Sequence, residues 1–345
     1  MSRETIMAAG VLCGLCACAH AGPLQVAVTL TDLTPLVETV GGDAVAVRCV
    51  VPAGGDPHSF TLSAEMAASL HRADLIVFAS TRFLEFEAEI RRSVPEKPCC
   101  DWEDYQARGA KLHDVPGLPQ NPHGFWLSLN NAKAIAQAVA DRILELWPEA
   151  TQVRSNLARF LDELQTCQEV SGELAKQGGT GRPYVAVVPG VADCILNLGL
   201  PVATVLLPTE GASFASARDV DQVVRKLRSG EWSGLVCPRI ARGAKPAEVA
   251  EQIARDARSR VVYVSFLDPW TPGRSYLGQA YYNAAVLSAG SGGSGEGGAG
   301  MSARAAAALV GVPAVVVIVW LALALAKASR AARTALPGAG IFGEQ

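Results

Sequence analysis

Short β-branched, apolar runs alternate with stretches of helical spacing along most of this chain. Leu24–Leu30 (LQVAVTL) predicts a strand, Thr31–Val40 carries helix-compatible apolar positions as far as Gly41-Gly42, and Val45–Val51 predicts a second strand. That is a β-α-β pattern. It continues with a helix over Ser63–Arg72 capped by Ser63, a buried strand at Leu75–Phe78, a helix over Phe83–Ser93 and a strand near Ala110–Val115. From Asn130 to Leu146 the apolar residues Ile135, Ala136, Val139, Ile143 and Leu146 keep close to helical spacing, and Pro148 ends the element. Neither Gly nor Pro occurs between Pro148 and Gly172, and Leu157, Phe160, Leu161 and Leu164 share one face, which predicts a single long helix over Glu149–Lys176.

The alternation then resumes. Strands are expected at Tyr184–Val188, Val202–Leu206, Gly234–Cys237 and Val261–Phe266, with helices at Val191–Leu198, Ala217–Leu227 and Pro246–Ser259. Pro246 suits the first turn of its helix, where a missing N–H costs nothing. The fold class expected is α/β: two β-α lobes joined by one long helix, with a ligand cleft beyond the carboxyl ends of the strands.

The two ends depart from this pattern. Residues 1–21 place Arg3 before the uncharged run Thr5–Ala19 and end in the small-x-small site Ala19-His20-Ala21, a secretory signal pattern. Leu15-Cys16-Ala17-Cys18 also resembles a lipobox, which would put a lipid on Cys18. Residues 305–326 contain no charge and, as a helix, cover roughly 33 Å, enough to cross a bilayer. This transmembrane segment follows a Gly/Ser-rich tether. Lys327, Arg330 and Arg333 come after it and only Arg304 just before it, so the tail is expected in the cytoplasm and the main body outside. The organisation expected is a signal at 1–21, an N-terminal lobe at 22–148, a linking helix at 149–177, a C-terminal lobe at 178–287, a tether at 288–304, a span at 305–326 and a tail at 327–345.

Charge and cysteine content narrow the function. With 30 Lys and Arg against 33 Asp and Glu there is no basic excess of the kind nucleic-acid binding needs. Outside the signal lie Cys49, Cys99, Cys100, Cys167, Cys194 and Cys237, which an exported setting permits to pair, although spacing selects no pairing and forms no CxxC metal knuckle.

The candidate chemistry sits on three turn-rich loops. VPAGGDPHSFTL holds His58, NPHGFW holds His123, and SFLDPW holds Asp268 at the end of an apolar run. Two neutral imidazoles and a carboxylate suit zinc or manganese, with water in the open position. His71 and His113 have charged neighbours and read as solvated.

Taken in order, GGDPHSF, HRADLIVFAS, NPHGFWLSLNNAKAIAQ, the Pro-headed long helix, SFLDPW and SYLGQAYYN resemble the extracytoplasmic solute-binding proteins of ABC transporters for zinc and manganese, over about Val26 to Leu287. The resemblance implies two lobes on a rigid helix, Zn2+ or Mn2+ carried as cargo in the cleft, and delivery to a membrane permease. It assigns His58 and His123 as ligands from the first lobe and Asp268 from the second. It also implies a fourth donor directly after the first strand of the second lobe, where Val188 and Pro189 stand here. Asp193, five residues beyond Val188, is the alternative donor, and binding weaker than in a four-ligand relative is expected. His123 is followed by Gly-Phe-Trp, one residue longer than the usual spacing to Trp. Two other readings accompany this one: a tethered relative that senses or sequesters metal or has lost it, and, more remotely, a zinc hydrolase.

Overall fold

The computed structural model describes residues 22–52, 60–178, 181–207, 216–268 and 275–291. The segments read from the sequence as signal, span and tail lie outside the described residues, as do His58 and most of the stretch read as tether. No helix among the described residues is long and apolar enough to cross a membrane.

The first lobe is a four-stranded parallel sheet ordered β2-β1-β3-β4, from β1 (Leu24–Val28), β2 (Val45–Cys49), β3 (Leu75–Val77) and β4 (Cys99–Cys100). Its helices are α1 (Thr34–Gly41), α2 (Ala64–Arg72), α3 (Glu85–Ser93) and α4 (Trp102–Gln106). Ser63 caps α2 as expected, its hydroxyl accepting from the Met66 amide. The strand expected near Ala110–Val115 is shorter and outside the sheet: β5 (His113–Val115) pairs antiparallel with β6 (Leu118–Asn121). Gly117, between them, takes a left-handed φ of 82°, which closes the hairpin.

Helix α5 (Leu129–Leu146) leads to the linking helix α6 (Gln152–Gly178), which starts three residues later than the pattern predicts because Pro148 and Glu149 form a turn. Val153, Phe160, Leu164, Cys167 and Ser171 form its buried stripe. It packs along α1, α5 and the last helix, α10 (Tyr276–Ser291), so it belongs to the core of both halves. Each Phe or Leu buried there contributes about 1.5–3 kcal/mol over an exposed position.

The second lobe is again parallel, ordered β10-β9-β7-β8: β7 (Tyr184–Ala186), β8 (Val202–Val205), β9 (Gly234–Pro238) and β10 (Val261–Val264). Helices α7 (Ala192–Leu196), α8 (Ala217–Arg228) and α9 (Lys245–Ala257) complete it. One hydrophobic cluster runs through the first lobe, α6 and the inner face of the second sheet, and a smaller one lies between that sheet and α8 and α9. Helix α10 continues to Ser291, into the stretch read as tether. All six cysteines of the main body remain thiols.

Candidate metal cleft

Each loop of interest leaves the carboxyl end of its strand. After β1 the chain makes a single 3-10 turn, Thr31–Leu33, and α1 then starts at Thr34 with Pro35 in its first turn. This turn buries Asp32, a residue that no motif marks, to 1% exposure. Asp32 accepts from three donors: Trp126 Nε1 at 3.0 Å, Gln279 Nε2 at 2.9 Å, and the Leu267 amide, which lies 3.1 Å from each of its oxygens. Burial pushes its carboxyl above the usual range, the bonds from Gln279, Trp126 and Leu267 pull it back, and the charge of Asp268 adds to the rise.

His123 follows β6 and is half-buried. Asn121 holds its backbone at both ends: Oδ1 accepts from the His123 amide at 3.1 Å, and Nδ2 donates to the His123 carbonyl at 3.2 Å. The same Nδ2 donates to the Pro189 carbonyl at 3.1 Å, tying the loop to the second lobe. Gly124 lies between His123 and the Phe125-Trp126 pair. Its φ is 74°, and a Cβ there would lie 2.1 Å from the Gly190 carbonyl oxygen, so only glycine permits this approach. Trp126 then stacks on Phe266 at 6.1 Å and meets Phe125 edge-on.

Asp268 follows β10 through Ser265, Phe266 and Leu267. Leu267 has a left-handed φ of 51°, uncommon for a non-glycine residue. Asp268 is buried and paired with Arg239, Nε to Oδ2 at 3.3 Å. Helix α10 supports both loops from one face with residues spaced at helical intervals. Tyr276 donates to the Trp126 carbonyl at 2.7 Å, Gln279 donates to Asp32 and to the Ser265 carbonyl at 3.1 Å, and Asn283 holds Ser265 at both its amide and its carbonyl. These three are among the polar positions of SYLGQAYYN and brace the two loops from behind.

The structure therefore brings together the loops of His123 and Asp268, with the 188–190 segment between them. His58 lies outside the described residues, and among the described residues no three His, Cys, Asp or Glu side chains converge as a metal-holding group. Val188 is half-buried, Pro189 and Gly190 are buried, and a Cβ on Gly190 would lie 2.3 Å from the Phe266 ring, so the segment following β7 is packed against Phe266 at Gly190. Asp193 does not stand open as a replacement: its Oδ1 lies 2.6 Å from His113 Nδ1. That also corrects the reading of His113 as merely solvated. His71 is exposed on α2, as expected.

The family of the periplasmic zinc-uptake complex component A matches residues 26–290. The chain belongs to this family. Among curated members, the metal ABC transporter substrate-binding lipoprotein SsaB of Streptococcus sanguinis is 25% identical over 295 residues, covering 81% of this chain and 95% of the relative. The manganese ABC transporter substrate-binding lipoprotein scaA of Streptococcus gordonii is 26% identical over 159 residues, covering 44% of this chain and 51% of the relative, so there the match spans about half the relative's length. A zinc-bound deletion mutant of ZnuA shares the fold at a TM-score of 0.66 and 20% identity, covering 79% of this chain and 100% of that one.

Proposed function

We propose that this family member is an extracytoplasmic binding protein that carries zinc or manganese to an ABC permease, with His58, His123 and Asp268 as its ligands. The observation that carries the reading is the meeting of the His123 and Asp268 loops on one buried carboxylate, Asp32, at the carboxyl ends of β1 and β10. Imidazole and carboxylate donors suit either ion, which is cargo here, and the role is binding rather than catalysis. Membrane attachment through the uncharged segment 305–326 is part of the proposal and rests on its length and on the basic residues behind it. The relatives named above are described as lipoproteins, which keeps a lipid on Cys18 as the other form of anchor.

Chelator competition with Zn2+ and Mn2+ on the full chain, and on His58→Ala, His123→Ala and Asp268→Ala, tests the site. Each substitution is expected to lower affinity at least tenfold and to remove the thermal stabilisation that the metal confers. Unchanged binding in all three overturns the ligand assignment. The Arg239–Asp268 pair and the packed 188–190 segment favour a second reading, a relative that has lost metal; a native chain stabilised by neither ion would establish it.

A further inference from the structure

We propose that Asp32 is a positioning residue: it holds Leu267 in its left-handed turn, thereby aims Asp268 into the cleft, and locks that turn to the His123 loop through Trp126. This rests on the reading of Asp268 as a ligand. Asp32 belongs to the first lobe, yet the Leu267 amide that it binds is 235 positions along the chain and immediately precedes Asp268. A left-handed leucine is disfavoured by its Cβ, so the turn persists only where its surroundings impose it. The imposed contact is visible, because both Asp32 oxygens face the Leu267 N–H while Trp126 Nε1 and Gln279 Nε2 occupy the remaining acceptor directions.

Every group facing Asp32 in these bonds is a donor. A carboxylate accepts them all, whereas an amide must turn its NH2 toward at least one of them. Asp32→Asn therefore keeps the size of the side chain and breaks the arrangement. The backbone before Leu267 is secured separately, Ser265 being bound at both backbone groups by α10, and the Asp268 side chain after it pairs with Arg239. Leu267 is thus the joint through which Asp32 sets the direction of Asp268, in the way that outer partners orient ligands at metal sites.

The test compares native full chain, Asp32→Asn, Leu267→Gly, the double variant and Leu267→Pro. Amide exchange without metal reads the turn alone: Asp32→Asn is expected to speed exchange at Leu267 about tenfold or more while the β7 amides stay unchanged. Zn2+ and Mn2+ affinities, by chelator competition, should fall about tenfold in Asp32→Asn, the factor set by the cost of a left-handed leucine. Glycine adopts that conformation freely, so Leu267→Gly should restore part of the loss, giving non-additivity that a residue contributing only stability would not produce.

Equal losses in Asp32→Asn with and without the glycine, or native exchange in Asp32→Asn, overturn the inference. Should Asp32→Asn fail to fold, Leu267→Pro decides: it deletes the N–H and forbids the turn, and native metal affinity in that variant is equally fatal. A native chain that binds neither ion overturns the ligand reading instead, and the exchange experiment still decides whether Asp32 holds the turn.

Discussion

Arg239 reaches across from the end of β9 to place its Nε 3.3 Å from Oδ2 of Asp268, and the same guanidinium lies over the Tyr282 ring at 5.4 Å. The Asp268 side chain is 7% exposed and that of Arg239 is 29% exposed, so the pair is only partly screened by water. An ion approaching Asp268 meets a carboxylate already compensated and a second positive charge beside it.

Arg239→Gln is therefore expected to tighten Zn2+ binding. Removing a competing partner of this exposure is worth about 1 kcal/mol, roughly a fivefold gain in affinity. Chelator titration of native and variant chains measures it, and weaker binding in the variant would show that Arg239 supports the site.

The His113–Asp193 pair joins the hairpin to α7 and predicts a pH-dependent stability. The hydrogen bond that His113 donates to Asp193 raises it above its ordinary value, partial burial opposes this, and the charges of Asp193 and Asp114 add to the rise. Burial raises Asp193 as well, against the pull of His113. The folded state thus holds the proton more tightly than the unfolded chain. The contribution is complete below about pH 6.5 and is lost as pH rises through the raised value. His113 is 37% exposed, so the amplitude is small. The melting-temperature advantage of the native chain over His113→Gln should be largest in mild acid and shrink toward alkaline pH. A constant difference across that range would remove the pair from the pH response.

Gly124→Ala is expected to be costly. It combines a left-handed φ of 74° with a Cβ placed 2.1 Å from the Gly190 carbonyl, and should lose at least about 2 kcal/mol. Gly109→Ala is the matched control, with a φ of 94° and open space around it, and should lose about 1 kcal/mol. Denaturant unfolding of the two variants compares them, and equal losses would mean that the approach of Gly124 to Gly190 carries no energy.

The β-α alternation of both lobes is legible because buried parallel strands read as β-branched runs and their helices keep an apolar spacing. The linking helix is legible from its Gly- and Pro-free stripe. Strands β4 and β6 and helices α4 and α10 escape the pattern, and three of them for plain physical reasons. Strand β4 is two residues long, α4 is five, and α10 carries apolar residues all around with Gln279 and Asn283 buried among them, which erases a helical period. The loops of His123 and Asp268 are legible from Pro, Gly and the chemistry of their donors. Asp32 and Asn121 are not. An acid in a Thr-Asp-Leu turn and an Asn before Pro are ordinary surface turn residues until donors 94 to 247 positions away, or the Pro189 carbonyl 68 away, meet them.

The dependence of the cleft on α10 also fixes an order of assembly. Asp32 is among the first residues of the fold, but its Gln279 donor lies 247 positions later, and the Tyr276 hydroxyl that secures Trp126 is 150 positions beyond its partner. Contacts of such long span form late, after the loops between them have been closed. A chain emerging from its amino end can complete the first sheet early, yet the carboxylate beyond the carboxyl end of β1 waits for nearly all of the described chain before its last donor arrives. Until then the two lobes are joined by α6 and by bonds such as Asn121–Pro189 and Leu267–Asp32, and α10, the last helix among the described residues, adds the remaining donors from behind.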